Sequence, residues 1–173
     1  MATPNLPPSI PVDGNLLVLW VPAIADVDNP SLAELTAPSV KDITCYLNDS
    51  KAGVSKDQGT IPDRRMCMTT ALQVPGQGTS TADDITYIYD PQADDADPMN
   101  VAFDTLPEGS SGHYFVRRGL PYTTELAAGQ SGEVQSVRNG VRWDSSNATE
   151  DFSKMTQKRF LSNFVEKATV KAA

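Results

Sequence analysis

The sequence predicts a mainly β protein with one well-marked helix, on three observations. Leu16 to Val21 is apolar at every position. Several short runs rich in β-branched and aromatic residues are bounded by Pro or Gly, as strands are. Only one segment joins a helix start signal, an apolar stripe and a stop. The chain has 173 residues, a length that fits one domain. A core of that size buries roughly 70% of the unfolded surface, so stability requires neither disulfides nor a structural metal.

The elements follow in chain order. Pro4, Pro7, Pro8 and Pro11 crowd the first eleven residues, removing backbone donors and favouring extended geometry. Residues 1–14 are therefore expected to form an arm and 15–173 the folded domain. As a strand, Leu16 to Val21 presents hydrophobic side chains on both faces, and both must be covered. Ser31 and Glu34 make a capping box for a short helical turn through Leu35. Val40 to Leu47 is a weaker strand, and 48–63 is the longest polar connection.

Met66, Met68, Thr70, Leu72 and Val74 alternate with Arg65, Cys67, Thr69, Ala71 and Gln73, the period of a strand with one core face. Ile85 to Tyr89 and Tyr114 to Arg117 are further strands. Between them, Asp97-Pro98 followed by Met99, Ala102, Phe103 and Leu106 reads as an N-cap, a first-turn proline and an apolar stripe that stops at Pro107. Val134 to Trp143 contains Asn139-Gly140 and fits either a tight hairpin or one bulged strand. Over 153–170, Leu161, Phe164, Val165 and Ala168 have helical spacing, whereas Phe160, Phe164, Ala168 and Val170 share one strand face. Local pattern slightly favours helix there.

Net charge is −8, which argues against direct binding to DNA or an anionic membrane, since both need a basic footprint. The charge lies in blocks: −5 over 1–50, +2 over 51–82, −8 over 83–112 and +3 over 113–173. No run approaches the ~20 apolar residues of a membrane span. Asp13 precedes the apolar run and no Lys or Arg lies upstream, so a signal peptide is not expected and synthesis is expected in the cytosol. Cys45 and Cys67, the only cysteines, are then expected as free, small buried hydrophobes.

Catalytic chemistry finds little support. His113 is the only histidine, which rules out a two-histidine metal helix. Gly109-Ser110-Ser111-Gly112 lacks a nucleophile elbow, and His113 reads as a strand-edge residue. Asp90, Asp94, Asp95 and Asp97 lack the alternating ligands, central Gly and terminal Glu of a calcium loop, so they read as a solvated acidic loop. No cofactor, catalytic or metal site is expected. The features that remain are a strand apolar on both faces, a proline-rich arm, a long polar loop and segregated charge. All suit self-assembly.

The order and wording of segments resembles a known family. Leu17-Val18-Leu19-Trp20-Val21-Pro22, Ile61-Pro62-Asp63-Arg64-Arg65, Ile85-Thr86-Tyr87-Ile88-Tyr89-Asp90-Pro91, Ala102-Phe103-Asp104-Thr105-Leu106 and Tyr114-Phe115-Val116-Arg117-Arg118-Gly119 look like the major tail proteins of long-tailed phages, especially actinobacterial ones. The resemblance covers most of 15–170. It implies the tail-tube fold, two packed antiparallel sheets (a β-sandwich or half-barrel) with one flanking α-helix, and makes the C-terminal segment a strand. It also implies a structural subunit of the virion tail that closes into hexameric rings stacked around a channel for DNA, with a tape measure protein and a tail terminator as partners. Acidic channel walls let DNA slide without sticking. The competing reading is a monomeric β-sandwich accessory or binding module of a virion.

These readings name contact residues. One face of the apolar strand, with Leu16, Val18 and Trp20, is expected against a neighbouring subunit. The acidic block, with Asp94 and Asp95, is expected to face Arg64, Arg65, Arg117 and Arg118 of adjacent copies. The arm and the 48–63 loop, with Lys51, Lys56, Asp57 and Asp63, are expected between stacked rings.

Overall fold

The first strand sets the layering of the molecule. In the computed structural model, which describes residues 9–48, 52–93, 98–146 and 152–172, β1 (Leu16–Val21) is buried at every position after Leu16. Val18 and Trp20 lie in one apolar cluster with Ile43, Ile85, Tyr87, Leu106, Tyr114 and Val116. Leu17, Leu19 and Val21 lie in another, with Ile24, Leu35, Phe115, Val134, Ala168 and Val170. The two-sided apolar pattern is thus filled from both sides by the chain itself. Each full burial of such a side chain stabilises by about 1.5–3 kcal/mol.

Around β1 run α1 (Leu32–Leu35), β2 (Lys41–Asp42), β3 (Val54–Asp63), β4 (Leu72–Ala82), β5 (Ile85–Ile88), α2 (Val101–Thr105), β6 (Ser111–Arg118), β7 (Ser131–Asp144) and β8 (Lys154–Thr169). Six strands form one antiparallel sheet in the order β2-β1-β6-β7-β8-β5, and β3 and β4 form a separate antiparallel hairpin. The register between β7 and β8 shifts three times. Each shift bends and twists the pair, which curls the sheet into a half-barrel.

Two glycines let the aromatic rings of the two layers approach the sheet. A Cβ at Gly112 would lie 2.5 Å from the Trp20 ring, and one at Gly132 would lie 2.6 Å from the Phe115 ring. The capping box of α1 is present, and its Glu34 carboxylate also reaches the chain after β1. It accepts from Ala25 N at 2.8 Å, Ser31 N at 2.8 Å and Ser31 Oγ at 2.7 Å.

Several local expectations are corrected. Residues 154–169 form a strand, because two-sided packing between the clusters selects the period-2 alternative. Of the two readings open for Val134 to Trp143, the bulged strand is the one found: residues 131–144 form a single strand, bulged between Asn139 and Arg142. The 48–63 connection contains β3, and the strand expected over 66–74 begins at Leu72 instead and faces solvent. Val40 to Leu47 yields the two-residue β2 and a 3-10 turn over Thr44–Tyr46. The central helix is a 3-10 turn, Pro98–Asn100, leading into α2 with Asn100 as N-cap, while Asp97 lies outside the described residues. His113 sits inside the sheet between Val21 and Ser136, with Nδ1 2.9 Å from Ser136 Oγ. Both cysteines are free but exposed.

Two predictions follow from these contacts. Val18→Asp and Leu19→Asp, on opposite faces of β1, are both expected to prevent folding by burying an unpaired charge, which circular dichroism will show. The second concerns Glu34, whose three hydrogen bonds, that from Ala25 first, hold its carboxyl below its ordinary 4.5. A depressed folded value stabilises fully above the ordinary value and is lost as pH falls through the depressed one. Glu34→Gln is expected to lower stability at neutral pH and flatten the acid limb of the denaturation midpoint measured against pH.

Candidate assembly surface

Among the described residues, the outer part of the β3–β4 hairpin carries apolar side chains that the subunit leaves exposed. The hairpin register runs from Val54 opposite Ala82 to Asp63 opposite Leu72, with an irregularity between Gln58 and Thr60. Ten residues of strand span about 33 Å. Ile61 pairs with Val74, and Asp63 with Leu72 two residues further out, so all four share one face. Ile61 is 55%, Leu72 56% and Val74 43% exposed, and Met66 at the turn is fully exposed. The alternation read in the sequence is real, but its apolar face points outward.

Among the described residues, every hydrogen bond of 58–77 is made within the hairpin. A two-stranded hairpin without a packed face is marginal in water. This one is held at its root. Arg159, buried on β8, donates from Nε to Asp83 O at 2.7 Å and from Nη2 to Gly53 O at 3.0 Å. Its Nη1 donates to Gln135 Oε1 at 2.9 Å, and Gln135 Nε2 donates to Ala52 O at 2.6 Å. The guanidinium also stands 4.9 Å from the centre of the Tyr114 ring. Burial pulls Arg159 below the ordinary arginine value. Lys56 adds an exposed ion pair to Glu166 at 2.8 Å and stands over the Phe164 ring. Such an exposed pair contributes only about 0–1 kcal/mol, so the buried cluster carries the attachment.

The residues singled out in the sequence take different places. Val18 and Trp20 are core, and Leu16 packs against the same cluster, so β1 offers no free face to a neighbour. Arg117 is completely buried, donating to the carbonyls of Pro121 and Thr124 and to Gln130 Oε1, so it braces the 121–130 loop rather than meeting another subunit. Arg118 pairs with Glu133 at 2.9 Å, and Arg65 with Asp63 at 3.2 Å. Arg64 is exposed at the hairpin turn, where no ion pair to a described residue holds it. Asp57 accepts from Gln58 N. Lys51, Asp94 and Asp95 lie outside the described residues. Arg159 and Gln135 escaped sequence reading, because their inward direction shows only once 154–169 and 131–144 are each known to be a single strand.

Among the described residues no cluster of His, Cys, Asp or Glu is arranged to hold a metal ion, and no helix is long and apolar enough to cross a membrane. What the site offers is a rigidly rooted hairpin with an apolar outer face. A family model described as phage tail tube protein matches residues 3–173. The chain belongs to the phage tail tube protein family. No curated protein matches it. As a tail tube protein it is a structural component of the virion tail that assembles with itself into a tube. The antiparallel half-barrel is consistent with that fold.

Removing the clamp of this tail tube subunit strands two backbone carbonyls and a glutamine oxygen. Arg159→Met is expected to cost at least about 3 kcal/mol, since each of the three stranded groups costs about 1–3 kcal/mol when left unsatisfied. Urea denaturation measures the loss, and amide exchange is expected to speed up first at the hairpin root.

Proposed function

We propose that the protein is the tail tube subunit of a long-tailed phage of an actinobacterial host, made in the host cytoplasm. It closes into hexameric rings that stack around a channel through which DNA passes without specific binding. A tape measure protein and a tail terminator set the length and end of the stack. The observation that carries this reading is the hairpin, clamped at its root and apolar on an outward face that no described residue of its own subunit covers. A monomer that exposes such a strip invites aggregation. A subunit that buries it against another copy gains a directed contact.

In this reading residues 15–173 are the folded domain, and the arm 1–14 joins the hairpin in bridging one ring to the next. Net charge of −8 supports a channel that repels phosphate. The role needs no catalytic centre and no cofactor.

Electron microscopy and sedimentation of the purified protein test the proposal. Rings or tubes are expected from the full chain. Replacing 58–77 by a short Gly-Ser turn is expected to leave a folded subunit that no longer elongates. A wild-type subunit that stays an 18.6 kDa monomer under all assembly conditions would favour the accessory-module alternative.

A further inference from the structure

Asn139-Gly140, which the sequence leaves open as a turn or a bulge, is the only Asn-Gly pair in the chain. Asparagine is a thermolabile residue, and a following glycine, having no side chain, hinders attack by its own backbone nitrogen least. In this pair the Gly140 nitrogen attacks the Asn139 side-chain carbon Cγ. The new N–C bond closes a succinimide ring, the Cγ–Nδ2 bond breaks, and ammonia leaves with the proton of the Gly140 amide. Water then opens the ring to aspartate or isoaspartate.

The fold keeps both residues because each meets a local demand. Asn139 is 1% exposed. Its Oδ1 accepts from the Tyr114 hydroxyl at 3.2 Å and its Nδ2 donates to Ser110 Oγ at 3.0 Å, so the position needs an acceptor and a donor on one short side chain. A Cβ at Gly140 would lie 2.7 Å from the Phe160 ring and 3.2 Å from the Lys158 carbonyl oxygen.

The same contacts prevent the attack. Bringing Cγ to the Gly140 nitrogen requires the Asn139 side chain to leave Tyr114 and Ser110. Most of what holds the pair belongs to the 108–110 turn, where Gly109 takes a φ of +77°. Gly109 N donates to Asn139 O at 2.8 Å, and Asn139 N donates to Ser110 O at 2.8 Å. Arg138 Nε donates to Gly109 O at 3.2 Å, and Arg142 N donates to Glu108 Oε1 at 2.9 Å. The turn thus clasps the chain from 138 to 142, across the bulge of β7.

We infer that Asn139-Gly140 is a self-modification site sealed by the 108–110 turn, which deamidates when the turn lets go. The change is one-way. Ser110 donates its hydroxyl to Pro107 O at 2.6 Å, so it offers position 139 a lone pair. An amide N–H meets that lone pair, whereas a carboxylate oxygen is repelled by it, and a buried charge without a partner is costly. Isoaspartate adds a backbone carbon to a segment already fixed on both sides. The chemical lifetime of the subunit is therefore set by how often one turn opens. The inference stands independently of the assembly reading.

Full-length protein aged at mildly alkaline pH, folded and in urea, tests it. Cleavage after glutamate releases residues 134–150, and mass spectrometry of that peptide locates the modified residue. Deamidation of Asn139 is expected to be at least about tenfold slower in the folded chain. Ser110→Ala is expected to speed the folded rate about threefold to tenfold, the range that one lost hydrogen bond allows, and to leave the rate in urea unchanged. Ile24→Val, a comparable loss of stability in the opposite apolar layer, is expected to leave the folded rate unchanged. Asn139→Asp is expected to lower the urea midpoint.

Equal rates in the folded chain and in urea overturn the inference, as does a folded rate that Ser110→Ala does not raise. An equal rise in Ile24→Val would show that global unfolding, rather than the turn, opens the site, and overturns the role of the turn. An Asn139→Asp chain as stable as the wild type overturns the one-way character of the change.

Discussion

A buried guanidinium that forms no ion pair among the described residues holds the two parts of this molecule together. Arg159 reaches across from β8 to the carbonyls that begin and end the hairpin, Gly53 and Asp83, and through Gln135 to a third at Ala52. Carbonyl oxygens satisfy its donors, and the Tyr114 ring offers its π face. A carboxylate in the same position would satisfy the charge more fully but would leave the hairpin's backbone unheld. Removing a buried cation from water is costly. The fan of donors on one arginine offsets part of that cost by fixing several backbone segments at once.

The half-barrel follows from another constraint, the need to cover both faces of β1. The two apolar clusters draw on opposite sides of the same strands, so that Tyr114 and Val116 face one layer while Phe115 faces the other. Such a sheet has few apolar side chains left over for a neighbour. Among the described residues, exposed apolar side chains gather on the hairpin and on a short stretch of β7 and β8, with others scattered singly over the surface. Charge is treated in the same way. Arg117, Arg118 and Arg65 are engaged within the subunit, whereas Arg64 at the hairpin turn has no ion pair to a described residue.

The strands flanked by Pro or Gly were legible, as was the capping box at Ser31 and Glu34, because each depends on neighbours in sequence. The direction in which an alternating pattern faces was not. Met66 to Val74 alternates as a core strand does, yet its apolar residues lie in the open, since a hairpin that leaves the sheet has no layer behind it. Residues 154–169 show the converse. Their helical spacing is an accident of bulges, which shift the inward phase of the strand twice between Ala168 and Leu161. No local count anticipates those shifts. Arg117 and Arg118 look alike in sequence, but strand alternation sends the first into the interior and the second to a surface partner.

The irregularity between Gln58 and Thr60 divides the hairpin into a clamped inner part and a free outer part. Gly59 and Gly76 meet there so closely that a side chain at 76 would come within 2.9 Å of the Gly59 carbonyl oxygen. Glycine is also the residue that gives the backbone the widest range of angles. The joint therefore combines a narrow waist with local freedom, while the ladder on either side stays stiff. If subunits join through the hairpin as proposed, a tube built on such waists would flex by small rotations shared among many subunits. No single contact has to open, so curvature along the filament need not breach its wall.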